Sequence, residues 1–334
     1  MDKYFLKRLI APNQYTFIGI SALAAIMFFS TFLQRKVIVS GTDTFLSALI
    51  NDYLAAKSPV LVSAIYTALA VTIALLIIKV NENYRFIHRP TIVPTFIFMF
   101  FITFSEYDVR LNAGLIGALF LLLAMNSFFV IFRHGNILKC LFDTFFILSV
   151  GSLFHIHLLF LSAVFLLFVF FSGSFNIRHL FAALIGFITP LVIVVPIIVG
   201  LGYGEEFLIY TNYATMLSYN VMQSWSFSRI FYSVFFFIVI FVSIAFFYMT
   251  NLREETRNRR TLFFIFVLTI TLCVLGIYQM KNFFTYYPIF ILCMSLCSGY
   301  YFSLCKAKYI RHLFAFFLAT PVLFSIYSYL TIGQ

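Results

Sequence analysis

Acid–base, nucleophilic or metal chemistry would draw on carboxylates, cations, thiols or imidazoles, and this chain is sparing with all of them. Its 334 residues include 11 Asp and Glu, 22 Lys and Arg, 6 His and 5 Cys. The acids fall into two sets. Asp2, Glu82, Asp143, Glu254 and Glu255 lie among most of the basic residues, whereas Asp43, Asp52, Glu106, Asp108, Glu205 and Glu206 lie among few. Joined by Arg110, Arg229 and Lys281, the second set can converge on one cleft that holds carboxylates and cations together. Such a cleft suits a lipid-linked phosphate, because cations hold the phosphate while a carboxylate accepts the proton of an attacking hydroxyl.

The remaining groups carry less. Cys293 and Cys297 share a helix face, but no His or acid nearby completes a metal site, so they read as small packing residues. His155 and His157 offer two nitrogen ligands without a third, and capping of a tight turn explains them as well. Asp143, four residues from Lys139, reads as half of a helix-start ion pair. There is no phosphate-cradling glycine loop, nucleophile elbow or zinc-protease motif. No cofactor is expected, and a divalent ion is compatible with the acids.

Composition decides what must position these residues. Hydrophobic types make up 63% of the chain and charged types 10%, with a mean hydropathy of +1.03. A soluble domain carries about 25% charged residues, so the polar surface is too small to cover a water-exposed globule. The reading is all-α and polytopic, one multi-pass membrane domain over 1–334. The net charge of +11 follows from the positive-inside rule, which removes the case for nucleic acid.

A spanning helix needs about 20 apolar residues. Eleven segments qualify, near Thr16 to Leu33, Pro59 to Ile78, Thr91 to Phe104, Leu111 to Phe132, Leu138 to Phe154, Ile156 to Phe171, Leu180 to Gly200, Ile230 to Thr250, Thr261 to Tyr278, Phe284 to Phe302 and His312 to Leu330. The stretch from Leu138 to Phe171 would be about 51 Å as one helix, against a hydrocarbon core of about 30 Å. It therefore divides into two short helices with a turn at His155-Ile156-His157. With that division and an inside N-terminus, only Arg35, Lys36, Lys57, Arg110, Arg229 and Lys281 lie outside, and the remaining sixteen of the 22 basic residues lie inside. The C-terminus falls outside, and the first span reads as a retained signal anchor. The largest outer loops are 34–58 and 201–228, and the inner loop 251–260 is a basic topology determinant in contact with anionic lipid. Proline within spans, at Pro94, Pro190, Pro196, Pro288 and Pro321, predicts kinks.

The first outer loop reads SGTDTFLSALINDYLAAKSPV. Ser40, Thr42 or Asp43 can cap a helix whose apolar residues Phe45, Leu46, Leu49, Ile50, Tyr53 and Leu54 recur at helical spacing, as in an amphipathic helix lying on the outer surface. An acid soon after the first span, an interfacial helix and a proline-led second span together resemble the opening of GT-C glycosyltransferases, which use polyprenyl-phosphate-linked sugars. That resemblance implies Asp43 as the catalytic base, and matches Glu106 and Asp108 in SEYDVRLNAG to a second acidic pair that positions the acceptor or a divalent ion. Arg110, with Arg229 or Lys281, would then hold the phosphate. Here Asp43 is followed by Thr44, not by a second acid. The stretches LFDTFFILSVGSLFHIHLLFLSAVFLLFVF and FNIRHLFAALIGFITP also look like an uncharacterised family of bacterial inner-membrane proteins.

The resemblance implies a protein of envelope glycan assembly in the bacterial inner membrane, transferring or polymerising lipid-linked sugars. Its partners would be membrane lipid, a polyprenyl-phosphate-linked sugar and other membrane proteins. Two alternatives keep the fold. One is a non-catalytic membrane subunit of an envelope or secretion complex; the other is a lipid or small-molecule transporter, against which the near absence of charge within the spans counts.

Overall fold

The structure, a computed structural model, describes residues 14–33, 44–55, 58–84, 87, 91–104, 113–133, 136–171, 176–205, 207, 227–250, 256–278, 283–305 and 309–332. Among these residues the secondary structure is entirely helical. The helices are α1 (Gln14–Leu33), α2 (Phe45–Ala55), α3 (Pro59–Tyr84), α4 (Val93–Thr103), α5 (Ala113–Phe129), α6 (Ile137–Ser152), α7 (His157–Phe171), α8 (Ile177–Gly200), α9 (Phe227–Thr250), α10 (Thr256–Tyr278), α11 (Phe283–Leu304) and α12 (Ile310–Ile332). A 3₁₀ turn, Val130–Arg133, extends α5.

Five of these helices contain segments long and apolar enough to cross a membrane: Val60–Tyr84, Gly114–Arg133, Ile177–Gly200, Asn258–Gly276 and Tyr286–Leu304. Shorter apolar segments, from Phe17–Phe29 to His312–Leu323, accompany them. Large apolar side chains stand exposed along the outer helices, among them Phe181, Ile188 and Val192 on α8 and Phe241 and Met249 on α9. Water would not tolerate so much exposed apolar surface, and hydrocarbon does. The protein is a membrane-embedded helical bundle.

Its centre is α11. Of the most apolar stretch of each helix, 89% is buried for α11 against 22% for α8, which puts the first in the middle and the second at the rim. Small residues on α11, among them buried Ser295, Ser298 and Gly299, allow neighbours to approach it on several sides. Helices gain little by hydrophobic association when lipid is the alternative, so close backbone approach at small residues matters more. Gly299 of α11 lies directly against the Pro94 ring of α4, and Gly117 of α5 leaves room for Ile289 and His155. Gly186 of α8 lies so near the Phe142 carbonyl of α6 that a Cβ there would come within 2.5 Å of the oxygen. The cysteines pack as expected: Cys273, Cys293 and Cys297 are buried, and the Cys297 sulfur lies 3.2 Å from the Thr269 hydroxyl.

One expectation needs adjusting. Pro94 does not kink a span; it occupies the first turn of α4, where its missing N–H costs no helical hydrogen bond. Pro190 and Pro196 lie within α8, which runs as one helix from Ile177 to Gly200. The division of 138–171 does occur. α6 ends at Ser152, α7 begins at His157, and Leu153 to Ile156 make the turn between them.

Contacts between distant segments mark two ends of the bundle. At one, the Tyr84 hydroxyl donates to the Asn126 carbonyl at 2.5 Å, the Arg133 guanidinium lies 4.9 Å over the Tyr84 ring, and the Thr91 and Ser303 hydroxyls are 3.2 Å apart. Lys79, Arg133, Lys139, Arg178, Arg259 and Arg260 lie at this basic end, with Glu82 and Asp143 as the acids among described side chains. At the other end Phe45 meets Tyr203 and Phe207, His157 meets Tyr286, and the Tyr287 hydroxyl donates to the Phe101 carbonyl at 3.3 Å.

Candidate functional site

Two clusters occupy the end opposite the basic one, and the first begins at α2. Thr44 caps this helix: its Oγ1 accepts the Ser47 N–H at 3.3 Å, while the Ser47 Oγ accepts the Thr44 N–H at 3.1 Å. This reciprocal pair is a capping box, satisfying two donors that a helix start leaves open. The cap is thus Thr44 and not Ser40, Thr42 or Asp43, because only Thr44 has a hydroxyl partner three residues on. Thr44, Phe45 and Ser47 are all buried.

Phe45 is held from α8. That helix closes with Gly202 at φ +88°, a left-handed turn in which the Gly202 N–H bonds the Val199 carbonyl and the Tyr203 N–H bonds the Ile198 carbonyl. The turn brings Tyr203 to 5.6 Å from the Phe45 ring, with Phe207 at 6.3 Å. The start of α2 is therefore clamped to the segment after α8. Further along, Ile50 packs with Val62 and Ile65 of α3, while Leu49 and Tyr53 are exposed.

The second cluster is His155, His157 and Tyr286. The His rings lie 4.8 Å apart, and the Tyr286 ring is 4.0 Å from His157 and 5.8 Å from His155. The turn itself is closed by backbone, not by imidazole: the Leu158 N–H donates to the His155 carbonyl at 3.1 Å, and the His155 N–H to the Gly151 carbonyl at 2.9 Å. Both side chains are instead buried, His155 at 0% exposure and His157 at 3%. Gly117 makes the room, since a Cβ there would fall 3.0 Å from the His155 Cβ. At 16 and 15 residues, α6 and α7 reach about 24 and 23 Å, short of a hydrocarbon core of about 30 Å. A turn below full membrane height has to be covered by protein, and here His155 lies against Gly117 of α5 and both imidazoles meet Tyr286 of α11. The His157 and Tyr286 rings lie tilted at 50° to one another. Among the described residues no three His, Cys, Asp or Glu lie close enough to hold a metal.

The six residues singled out from sequence are mostly beyond this description. Asp43, Glu106, Asp108, Arg110 and Lys281 lie outside the described residues. Arg229 lies in the first turn of α9, with its side chain outside the description. What is described is their surroundings. Glu106, Asp108 and Arg110 lie between Phe104, which follows α4, and the start of α5, and Lys281 between α10 and α11. Phe101, Gly117, Tyr286 and Tyr287, near those junctions, are linked directly or through His155 and Ile289. Thr44 and Tyr286 were missed in the sequence. Ser47, three residues after Thr44, was a readable signal for the first; nothing local marks the second.

The fold defines the class, a membrane-embedded all-helical protein. No protein-family model matches the chain, and no curated protein matches its sequence.

Proposed function

We propose that the chain is an eleven-span protein of the bacterial inner membrane, N-terminus inside and C-terminus outside, acting in envelope glycan assembly on a polyprenyl-phosphate-linked sugar. Asp43 is the base. It takes the proton of an acceptor hydroxyl, whose oxygen bonds to the anomeric carbon as the bond from that carbon to the phosphate oxygen breaks. Arg110 with Arg229 or Lys281 holds the departing phosphate, and Glu106 and Asp108 position the acceptor or a divalent ion. α2 is the interfacial helix of this arrangement.

The observation that carries the reading is the Thr44–Ser47 cap. Capping was the ordinary explanation for an acid at position 43, and Thr44 fills that role. Asp43 is thereby joined directly to a buried, clamped helix start, between the first apolar helix and proline-led α3. Contacts among the elements that flank Glu106, Asp108, Arg110 and Lys281 support one shared cleft.

The test is complementation of a deletion strain by Asp43→Asn, with membrane abundance measured alongside. The substitution keeps the shape and removes the basicity, so loss of the glycan at normal abundance is the expected result. Full complementation would overturn the base and leave a non-catalytic membrane subunit as the better reading.

A further inference from the structure

α8 contains two prolines, and their surroundings differ. Pro190 has no N–H to return to the Gly186 carbonyl, four residues back. That break is braced. Pro190 and Gly186 are buried, Gly186 lies against the Phe142 carbonyl of α6, and the Ser149 hydroxyl donates to the neighbouring Phe187 carbonyl at 2.6 Å. Pro196 leaves the Val192 carbonyl without its helical donor in the same way. Here Val192, Ile193 and Ile197 are 63%, 55% and 56% exposed, Pro196 is exposed as well, and no comparable brace reaches them among the described residues.

Beyond Pro190 only Ile198 of α8 is buried. The main apolar core, among the described residues, takes in Ala183 and Phe187 of α8 and nothing later in that helix. Nothing lies within 4 Å of a Cβ built at Gly200 or Gly202. Few buried contacts mark a segment that opens at low cost.

What holds this end is α2. Tyr203 lies 5.6 Å and Phe207 6.3 Å from the Phe45 ring, beside the buried cap of Thr44 and Ser47. Aromatic pairs hold at centroid distances of about 4.5–7 Å. Tyr203 lies about 10 Å beyond Pro196 at 1.5 Å per residue. A change of about 20° at the proline, the size of an ordinary kink, therefore moves Tyr203 by about 3–4 Å and parts the rings.

We propose that Pro196 to Tyr203, the outer end of α8 with its Gly202 turn, is a hinged arm. It pivots at Pro196, closes on the start of α2 through Phe45, and uncovers that start when it swings away. The movement is independent of any reaction at Asp43; its use there, admitting a lipid-linked substrate sideways, rests on that reading.

Double electron–electron resonance on the full chain in lipid nanodiscs tests it, with nitroxides at Leu201→Cys on the arm and Leu159→Cys on core-packed α7, both exposed positions, in a Cys305→Ser background. Phe45→Ala, which opens the clamp, is expected to displace the arm by about 3–4 Å or to add a second distance at that separation. Adding Pro196→Ala restores the N–H opposite the Val192 carbonyl and should abolish the displacement, whereas adding Pro190→Ala should leave it. An unchanged distance in Phe45→Ala overturns the proposal. So does a displacement that survives Pro196→Ala, which marks fraying of the helix end, or one that Pro190→Ala abolishes equally. Tyr203→Ala opens the same clamp from its half-exposed side, so the test stays decisive even if Phe45→Ala fails to fold. The distances are read without turnover, so the outcome for Asp43→Asn does not bear on them.

Discussion

Asp43 and Thr44 are neighbours whose substitution should have opposite consequences. Thr44 Oγ1 accepts the Ser47 N–H, and Thr44→Val keeps the shape while removing that acceptor. A lost N-cap costs about 1 kcal/mol, so Thr44→Val should lower the thermal midpoint in detergent. Asp43→Asn should leave the midpoint unchanged while abolishing activity. If instead the midpoint falls with Asp43→Asn and not with Thr44→Val, the cap belongs to the acid. The residue scale also explains what escaped the sequence. Ser40, Thr42, Asp43 and Thr44 are all good cap types, and only the reciprocal hydroxyl of Ser47 separates them. His155 and His157 are close in the chain, but Tyr286 and Gly117, which enclose them, are set by packing between distant helices.

Among the elements, α8 separates two kinds of glycine. Gly186 faces the Phe142 backbone, which cannot swing aside, whereas nothing lies within 4 Å of a Cβ built at Gly200. Gly186→Val should cost about 1–3 kcal/mol by overpacking and lower membrane abundance. Gly200→Ala should be neutral or gain about 0.5–1 kcal/mol from reduced chain freedom. Gly299→Val, driven into the rigid Pro94 ring, should resemble Gly186→Val. Thermal unfolding of the three purified variants checks this ranking, and equal behaviour of Gly186→Val and Gly200→Ala would mean that α6 and α8 do not meet there. Helix division was legible where bilayer thickness set the rule: 34 apolar residues are too many for one span, and α6 and α7 are separate. Helix ends were less legible. α3 continues to Tyr84, beyond Ile78, because Asn81 turns its side chain inward, accepting the Ile87 N–H at 3.3 Å, and so does not break the helix. The close approach of α6 and α8 was invisible beforehand, since hydropathy says that a segment is apolar and not which neighbour it meets.

For the whole molecule, the expected crossing pattern depends on α6 and α7 each traversing the membrane despite their length. Five helices, α4 to α8, separate Asn83 from Glu205, so the two positions lie on opposite sides if all five cross. They lie on the same side if α6 and α7 together make a single crossing. Exposure of both residues makes them usable sites for single cysteines. Of the native thiols, Cys140, Cys273, Cys293 and Cys297 are buried, so replacing half-buried Cys305 by Ser leaves a quiet background. In intact cells an impermeant maleimide should label Glu205→Cys, and should reach Asn83→Cys and Arg260→Cys only after permeabilisation. Arg260 serves as the check, because α9 alone lies between it and the segment after α8. Labelling of Asn83→Cys and Glu205→Cys from the same side would remove one crossing and with it the inside bias of the basic residues. Arg229 and Lys281 would then leave the face that carries the acids at 43, 106 and 108, and a common cleft would be lost with the topology that assembles it.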